Sequence, residues 1–144
     1  MVEIEVEERA PEFPSDFWGE VVNVSMYTGK FAGNETVDVA IRADKPKYRN
    51  LQHIFLPKQG VDFEEGSDGK VRIRLNKLTY AGLFYSKLME LGWKPKGEPK
   101  DHLELAQELV GLKAHFKRID LKELDQRMRT RTPKWMVVEL GEPR

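Results

Sequence analysis

At 144 residues, with 40% apolar residues and 24 acidic side chains balanced by 24 basic ones, the chain has the size of a single domain that buries roughly two-thirds of its unfolded surface. It holds no cysteine, which excludes disulfides, thiolate nucleophiles, zinc ribbons and redox pairs and makes a cytoplasmic address the default. No apolar run approaches the roughly 18 residues of a membrane span, and Met1 to Glu8 does not resemble a signal peptide, so neither membrane nor export is expected.

The zero total conceals an uneven distribution. Residues 1–20 hold seven acids against Arg9, a net −6. Residues 42–58 carry a net +4 through Arg42, Lys45, Lys47, Arg49 and Lys58 against Asp44, and residues 112–134 a net +5. Two basic segments and one acidic end matter more for partners than the sum does. Charged residues make up 33% of the chain, a balance common among thermophile proteins.

In chain order, residues 1–15 read as an acidic arm, because Pro11 and Pro14 disfavour both helix and central strand. A strand is predicted from Phe17 to Met26, with Val22, Val24 and Met26 on one face. Thr28 to Asn34 contains Gly29 and Gly33 and should reverse the chain. An antiparallel partner follows over residues 35–43, where Val37, Val39 and Ile41 oppose Thr36, Asp38 and Arg42. Asp44 to Lys47 reads as a turn, and residues 48–56 as a third strand ending at Pro57. A loop or short hairpin over 59–69 leads into Val71, Ile73 and Leu75, which alternate with Arg72 and Arg74.

The period changes at Thr79. Tyr80, Leu83, Phe84, Leu88 and Leu91 follow helical spacing up to Gly92, and Asp101 can cap a second short helix carrying Leu103, Ala106 and Leu109. Leu112, Ala114 and Phe116 then alternate with basic residues and His115, and a last strand spans 134–140 with Met136, Val138 and Leu140 on one face. Residues 120–132 fit either a helical turn or an extended run. The pattern is three strands, a helical insertion at about 79–110, and two strands within one domain over 16–144. That is the order of a mostly β, five-stranded Greek-key barrel of the oligonucleotide-binding (OB) kind; an α+β antiparallel sheet with helices on one face fits as well.

Enzyme chemistry finds little support. His53, His102 and His115 make no HExxH or other zinc spacing, the glycine pairs lack a phosphate-cradling context, and no serine sits in a nucleophile elbow. No metal, cofactor or catalytic residue is therefore expected, although Asp44, Asp62, Glu64, Glu65 and Asp68 keep a metal-dependent nuclease open as a third reading. Single-stranded nucleic acid is held by basic grooves whose aromatic rings stack on bases, and both ingredients interleave here. Tyr27, Lys30, Phe31, Arg42, Lys45, Lys47, Tyr48, Arg49, His53 and Phe55 form one cluster, on the strands that make the binding face of an OB barrel. Arg127, Arg129, Arg131 and Lys134, beside Trp135, form a second that could clamp phosphates. The acidic arm could fold over the basic surface and compete with phosphates.

The runs Gly29-Lys30-Phe31-Ala32-Gly33-Asn34 into Val37-Asp38-Val39-Ala40-Ile41, Lys87-Leu88-Met89-Glu90-Leu91-Gly92, and Leu109-Val110-Gly111-Leu112-Lys113-Ala114-His115-Phe116 together resemble small phage-type single-stranded DNA-binding proteins. Those combine an OB barrel with a helix between its third and fourth strands. The resemblance implies a non-enzymatic protein whose partner is single-stranded DNA or RNA, with homo-oligomerisation allowed. The competing expectation is a protein-interaction or structural module of viral type, its aromatic residues in the core and its strands pairing with a partner.

Overall fold

A computed structural model describes residues 2–6, 15–27, 35–129 and 132–143. Among the described residues, seven strands and two short helices succeed one another: β1 (Asp16–Met26), β2 (Val37–Ala43), β3 (Gln52–Leu56), β4 (Val61–Glu65), β5 (Val71–Leu75), α1 (Tyr80–Glu90), α2 (His102–Gln107), β6 (Lys113–Ile119) and β7 (Lys134–Leu140). Five strands form an antiparallel sheet in the order β3-β2-β1-β6-β7, while β4 and β5 make a separate two-stranded hairpin. Among the described residues no ladder joins β3 to β7, so the sheet has two ends rather than the closed circuit of a barrel.

β1 is the hub because it is shared between two ladders. Its first residues, Asp16 to Glu20, pair with β6, and the stretch from Gly19 onward pairs with β2. The ladders overlap at Gly19 and Glu20, and a bulge follows at once between Val21 and Asn23. On the core face at the overlap, Ala43, Gly19 and Ala114 lie side by side across β2, β1 and β6. A Cβ at Gly19 would stand 2.8 Å from the Arg42 carbonyl oxygen and 2.9 Å from both Ile41 Cγ2 and Phe17 Cε2. Only glycine fits so close an approach, and small residues beside a bulge let a strand turn from one half of a sheet into the other.

The bulge also corrects the expected strand face. Val21 and Val24 are buried on the core side, whereas Val22 is only partly covered and Met26 lies at the exposed end. A second bulge, opposite His115 and Phe116 in the β6–β7 pairing, does the same to β7. Trp135, Met136 and Val137 are buried there, in place of the expected set Met136, Val138 and Leu140. Among the described residues of the 120–132 segment, Leu121–Glu123 form a 3-10 turn capped by Asp120, and none is in a strand.

One hydrophobic core gathers Phe17, Val39, Ile41, Ile54, Phe84, Leu88, Leu105 and Phe116 from both ends of the sheet and both helices. Thr79 caps α1 through Oγ1, which accepts from the Gly82 N–H at 3.2 Å, and Asp101 caps α2 by accepting from Glu104 N–H at 2.8 Å. Such caps satisfy backbone donors that the first turn leaves unpaired. Each helix also anchors one end strand. The Tyr80 hydroxyl donates to the Trp135 carbonyl of β7, and His102 Nε2 donates to the Leu56 carbonyl of β3 at 2.9 Å. Tyr85 is buried with its ring 6.5 Å from that of His102, and neither the Tyr85 hydroxyl nor His102 Nδ1 meets a hydrogen-bond partner among the described residues. Residues 2–6 carry no regular structure, and Val2, Ile4 and Val6 are exposed. No helix among the described residues is long and apolar enough to cross a membrane.

Candidate nucleic-acid interface

The sheet's outer face, turned away from the core, follows from strand parity. It carries His53 and Phe55 on β3, Asp38, Ala40 and Arg42 on β2, Trp18 and Glu20 on β1, and Lys113, His115 and Lys117 on β6. Phe55 is 45% exposed, unusual for a phenylalanine within a strand. It meets the Tyr27 ring edge-on at 5.0 Å and lies parallel to the His53 ring, with centroids 6.3 Å apart. His53 Nδ1 lies 2.7 Å from Asp38 Oδ1, across the β2–β3 ladder. The carboxylate fixes the imidazole's orientation and so holds a three-ring array of Tyr27, Phe55 and His53 in place.

Beside this array runs a groove of about 890 Å³. One wall is Tyr27, Thr36, Phe55 and Pro57, at the β3 end of the sheet; the other is Met128, Arg129 and Lys134, leading into β7; Thr79, Tyr80 and Ala81 at the start of α1 complete it. Lys134 Nζ sits 5.7 Å from the centre of the Tyr80 ring, a cation–π contact that leaves the ammonium at the groove. Among the described residues no carboxylate lines this groove. An aromatic wall facing two cations, with no acid among the described lining residues, is suited to a polyanion that also carries flat rings.

The structure brings together four residues from the two clusters expected from sequence: Tyr27 and Phe55 from the first, Arg129 and Lys134 from the second. His53 stands next to them on the outer face. Arg42, Lys45, Tyr48 and Arg49 lie elsewhere, in a second groove of about 630 Å³ at the far end of β2. A seven-residue strand separates the two places by roughly 20 Å. Tyr48 precedes β3 and is half-buried against the core, with Lys47 Nζ 5.0 Å from its ring centre. Arg127 is committed locally: its guanidinium makes two hydrogen bonds, of 2.9 and 3.1 Å, to Asp125. These bonds and the Arg127 backbone N–H hold the Asp125 carboxyl at about 2. Lys30, Phe31 and Arg131 lie outside the described residues.

Two residues absent from the sequence-derived set join the outer face, Trp18 and His115. Their rings stack at 4.8 Å with 10° between planes, and His115 Nε2 lies 3.0 Å from Asp16 Oδ2. Two further depressions have a different character. The one between residues 93–99 and α2 contains Glu98, Glu104 and Glu108, the last accepting from the backbone N–H groups of Lys96 and Gly97. The one beside α2 contains Glu35, Asp62 and Asp101, with Lys58 paired to Glu35. Neither suits a phosphate. Among the described residues no three His, Asp or Glu side chains are grouped to hold a metal ion.

The chain matches no protein-family model, no curated protein and no solved structure.

Proposed function

We propose that the protein binds single-stranded nucleic acid without catalysis, holding bases against Phe55 and Tyr27 and phosphates at Arg129 and Lys134. The observation that carries this reading is the groove in which rings from the β1–β3 side face cations from the β7 side, with no acid among its described lining residues. Each base stacked on an aromatic ring is worth roughly 1–3 kcal/mol, and backbone phosphates supply the remaining, salt-sensitive attraction. At the level of fold, the proposal is an OB-type Greek key. It is supported by a shared, bulged first strand, the order β3-β2-β1-β6-β7 and helices inserted between the third and fourth strands of that sheet. The resemblance to phage-type single-stranded DNA-binding proteins points the same way, and binding surfaces of OB folds lie on the corresponding strands and loops.

The test uses Phe55→Ala. Phe55 is exposed and outside the core, so its truncation leaves the melting temperature nearly unchanged, while affinity for a labelled oligothymidine falls by roughly 5- to 100-fold, the equivalent of one lost stack. Wild-type protein that fails to bind the oligonucleotide at low salt sinks the reading. A competing reading, a strand-pairing interaction module, draws on the exposed alternation of Val2, Ile4 and Val6; it predicts that removing those side chains, and not Phe55, abolishes partner binding.

A further inference from the structure

The outer face carries the same arrangement twice. At one end, His53 lies parallel to Phe55 and pairs with Asp38; at the other, His115 lies parallel to Trp18 and pairs with Asp16. In both, a carboxylate on the neighbouring strand orients an imidazole that backs a larger ring. Trp18 is half-buried, and it lines the second groove with Tyr48, Arg42, Lys45 and Arg49. Glu20, Asp44 and Glu142 also line that groove, but Glu142 is engaged by Lys113. Arg42, opposite Glu20 on the adjacent strand, stands on the outer face between the two ring pairs.

The strand register sets the spacing. Phe55 pairs with Asp38 of β2, whereas Trp18 accepts through its carbonyl from the N–H of Asp44, six residues further along and one strand beyond β2. The two ring pairs are therefore on the order of 20 Å apart. A single nucleotide cannot touch both.

From this we infer that Trp18, backed by His115, is a second base-stacking station, and that one single strand runs across the outer face from Phe55 past Arg42 to Trp18. The inference rests on the single-strand-binding reading above and extends it to a two-station site with Lys45 and Arg49 as phosphate contacts at the far end. At about 3.4 Å or more of strand per nucleotide the separation spans roughly six nucleotides or fewer, a footprint in the lower part of the roughly 4–16 nucleotides covered by one OB fold.

Oligothymidine of about 16 nucleotides is titrated into wild type, Trp18→Ala, Trp18→Phe and Phe55→Ala, with circular dichroism to check folding. Trp18→Ala should weaken binding about 5- to 100-fold, Trp18→Phe should keep most of the affinity because a ring remains, and intrinsic fluorescence quenched on binding to wild type should lose its Trp18 component in Trp18→Phe. If Trp18→Ala binds like wild type while Phe55→Ala is weakened, the second station is overturned and the first stands. If Phe55→Ala is unaffected as well, the parent reading falls with it. Should Trp18→Ala misfold, Lys45→Ala/Arg49→Ala, altering exposed side chains only, decides: the slope of log affinity against log salt should drop by about 1.4 for two lost phosphate contacts, and an unchanged slope overturns the inference.

Discussion

The Tyr80 hydroxyl donates a 2.6 Å hydrogen bond to the backbone carbonyl of Trp135, fastening the first turn of α1 to β7. Burial pushes the phenol's pKa well above its ordinary value, so it remains a donor across the working pH range. Replacing Tyr80 with Phe leaves the Trp135 carbonyl without this donor. The expected cost is about 1–2 kcal/mol, read as a lower denaturant midpoint with an unchanged m-value. A variant as stable as wild type would show that the bond is dispensable.

Arg129, Lys134 and Arg127 are close in sequence but differ in their partners, and salt dependence should separate them. Arg129→Ala and Lys134→Ala each remove a cation from the groove and should lower the salt slope of oligonucleotide binding by about 0.7. Arg127→Ala should change it less, because its guanidinium is already neutralised by Asp125. Equal effects from all three would mean that the ligand follows the 120–132 segment rather than the groove.

His102 should make stability pH-dependent. Burial lowers its pKa below the ordinary 6.5, and the positive charge of Lys58 acts in the same direction, against the raising effects of the Leu56 carbonyl, Asp101 and Glu35. The unfolded chain therefore takes up a proton at a pH where the folded chain does not. The stabilisation is complete above about pH 6.5 and is lost as pH falls below that value toward the lower folded-state pKa. Urea unfolding at about pH 7.5 and about pH 5.5, straddling the histidine range, should show a larger loss for wild type than for His102→Gln; identical losses would refute the assignment.

Gly19→Ala should destabilise the fold by about 1–3 kcal/mol, since its Cβ would press on a backbone oxygen and two core side chains at once. Thermal melts of Gly19→Ala beside Gly69→Ala make the comparison. A Cβ at Gly69 meets nothing within 4 Å, and the penalty there comes from its φ of +77° alone. A smaller loss at Gly19 than at Gly69 would argue against close approach as the reason for glycine.

Much of the element order was legible in the sequence because periods of two and 3.6 and the caps at Thr79 and Asp101 are local signals. What escaped were the two bulges. A strict period of two groups Trp18 with Val22, Val24 and Met26 on one face; the bulge after Val21 reverses the parity, so Val24 faces the core while Trp18 lies on the outer face. The cue present in the sequence was Phe17, Gly19 and Val21 alternating with Trp18 and Glu20. Likewise, the basic and aromatic residues from Arg42 to Phe55 read as one cluster along the chain. The reversal between β2 and β3 sends Tyr48 and Phe55 to opposite ends of β2, while Arg129 and Lys134, distant in sequence, come beside Phe55. Proximity across an open sheet is a tertiary property that no window of residues encodes.

The row Ala43, Gly19 and Ala114 has a mechanical consequence. With side chains this small on the inside, β2, β1 and β6 approach their core neighbours closely at this row, and the twist and bulge of the sheet there keep its outside from being a plane. A polymer laid from Phe55 to Trp18 would follow a curved path, so its ends would leave the protein in different directions and its end-to-end distance would shorten. Donor and acceptor dyes on the two ends of an oligonucleotide would register that shortening as increased energy transfer, without any change in the protein itself.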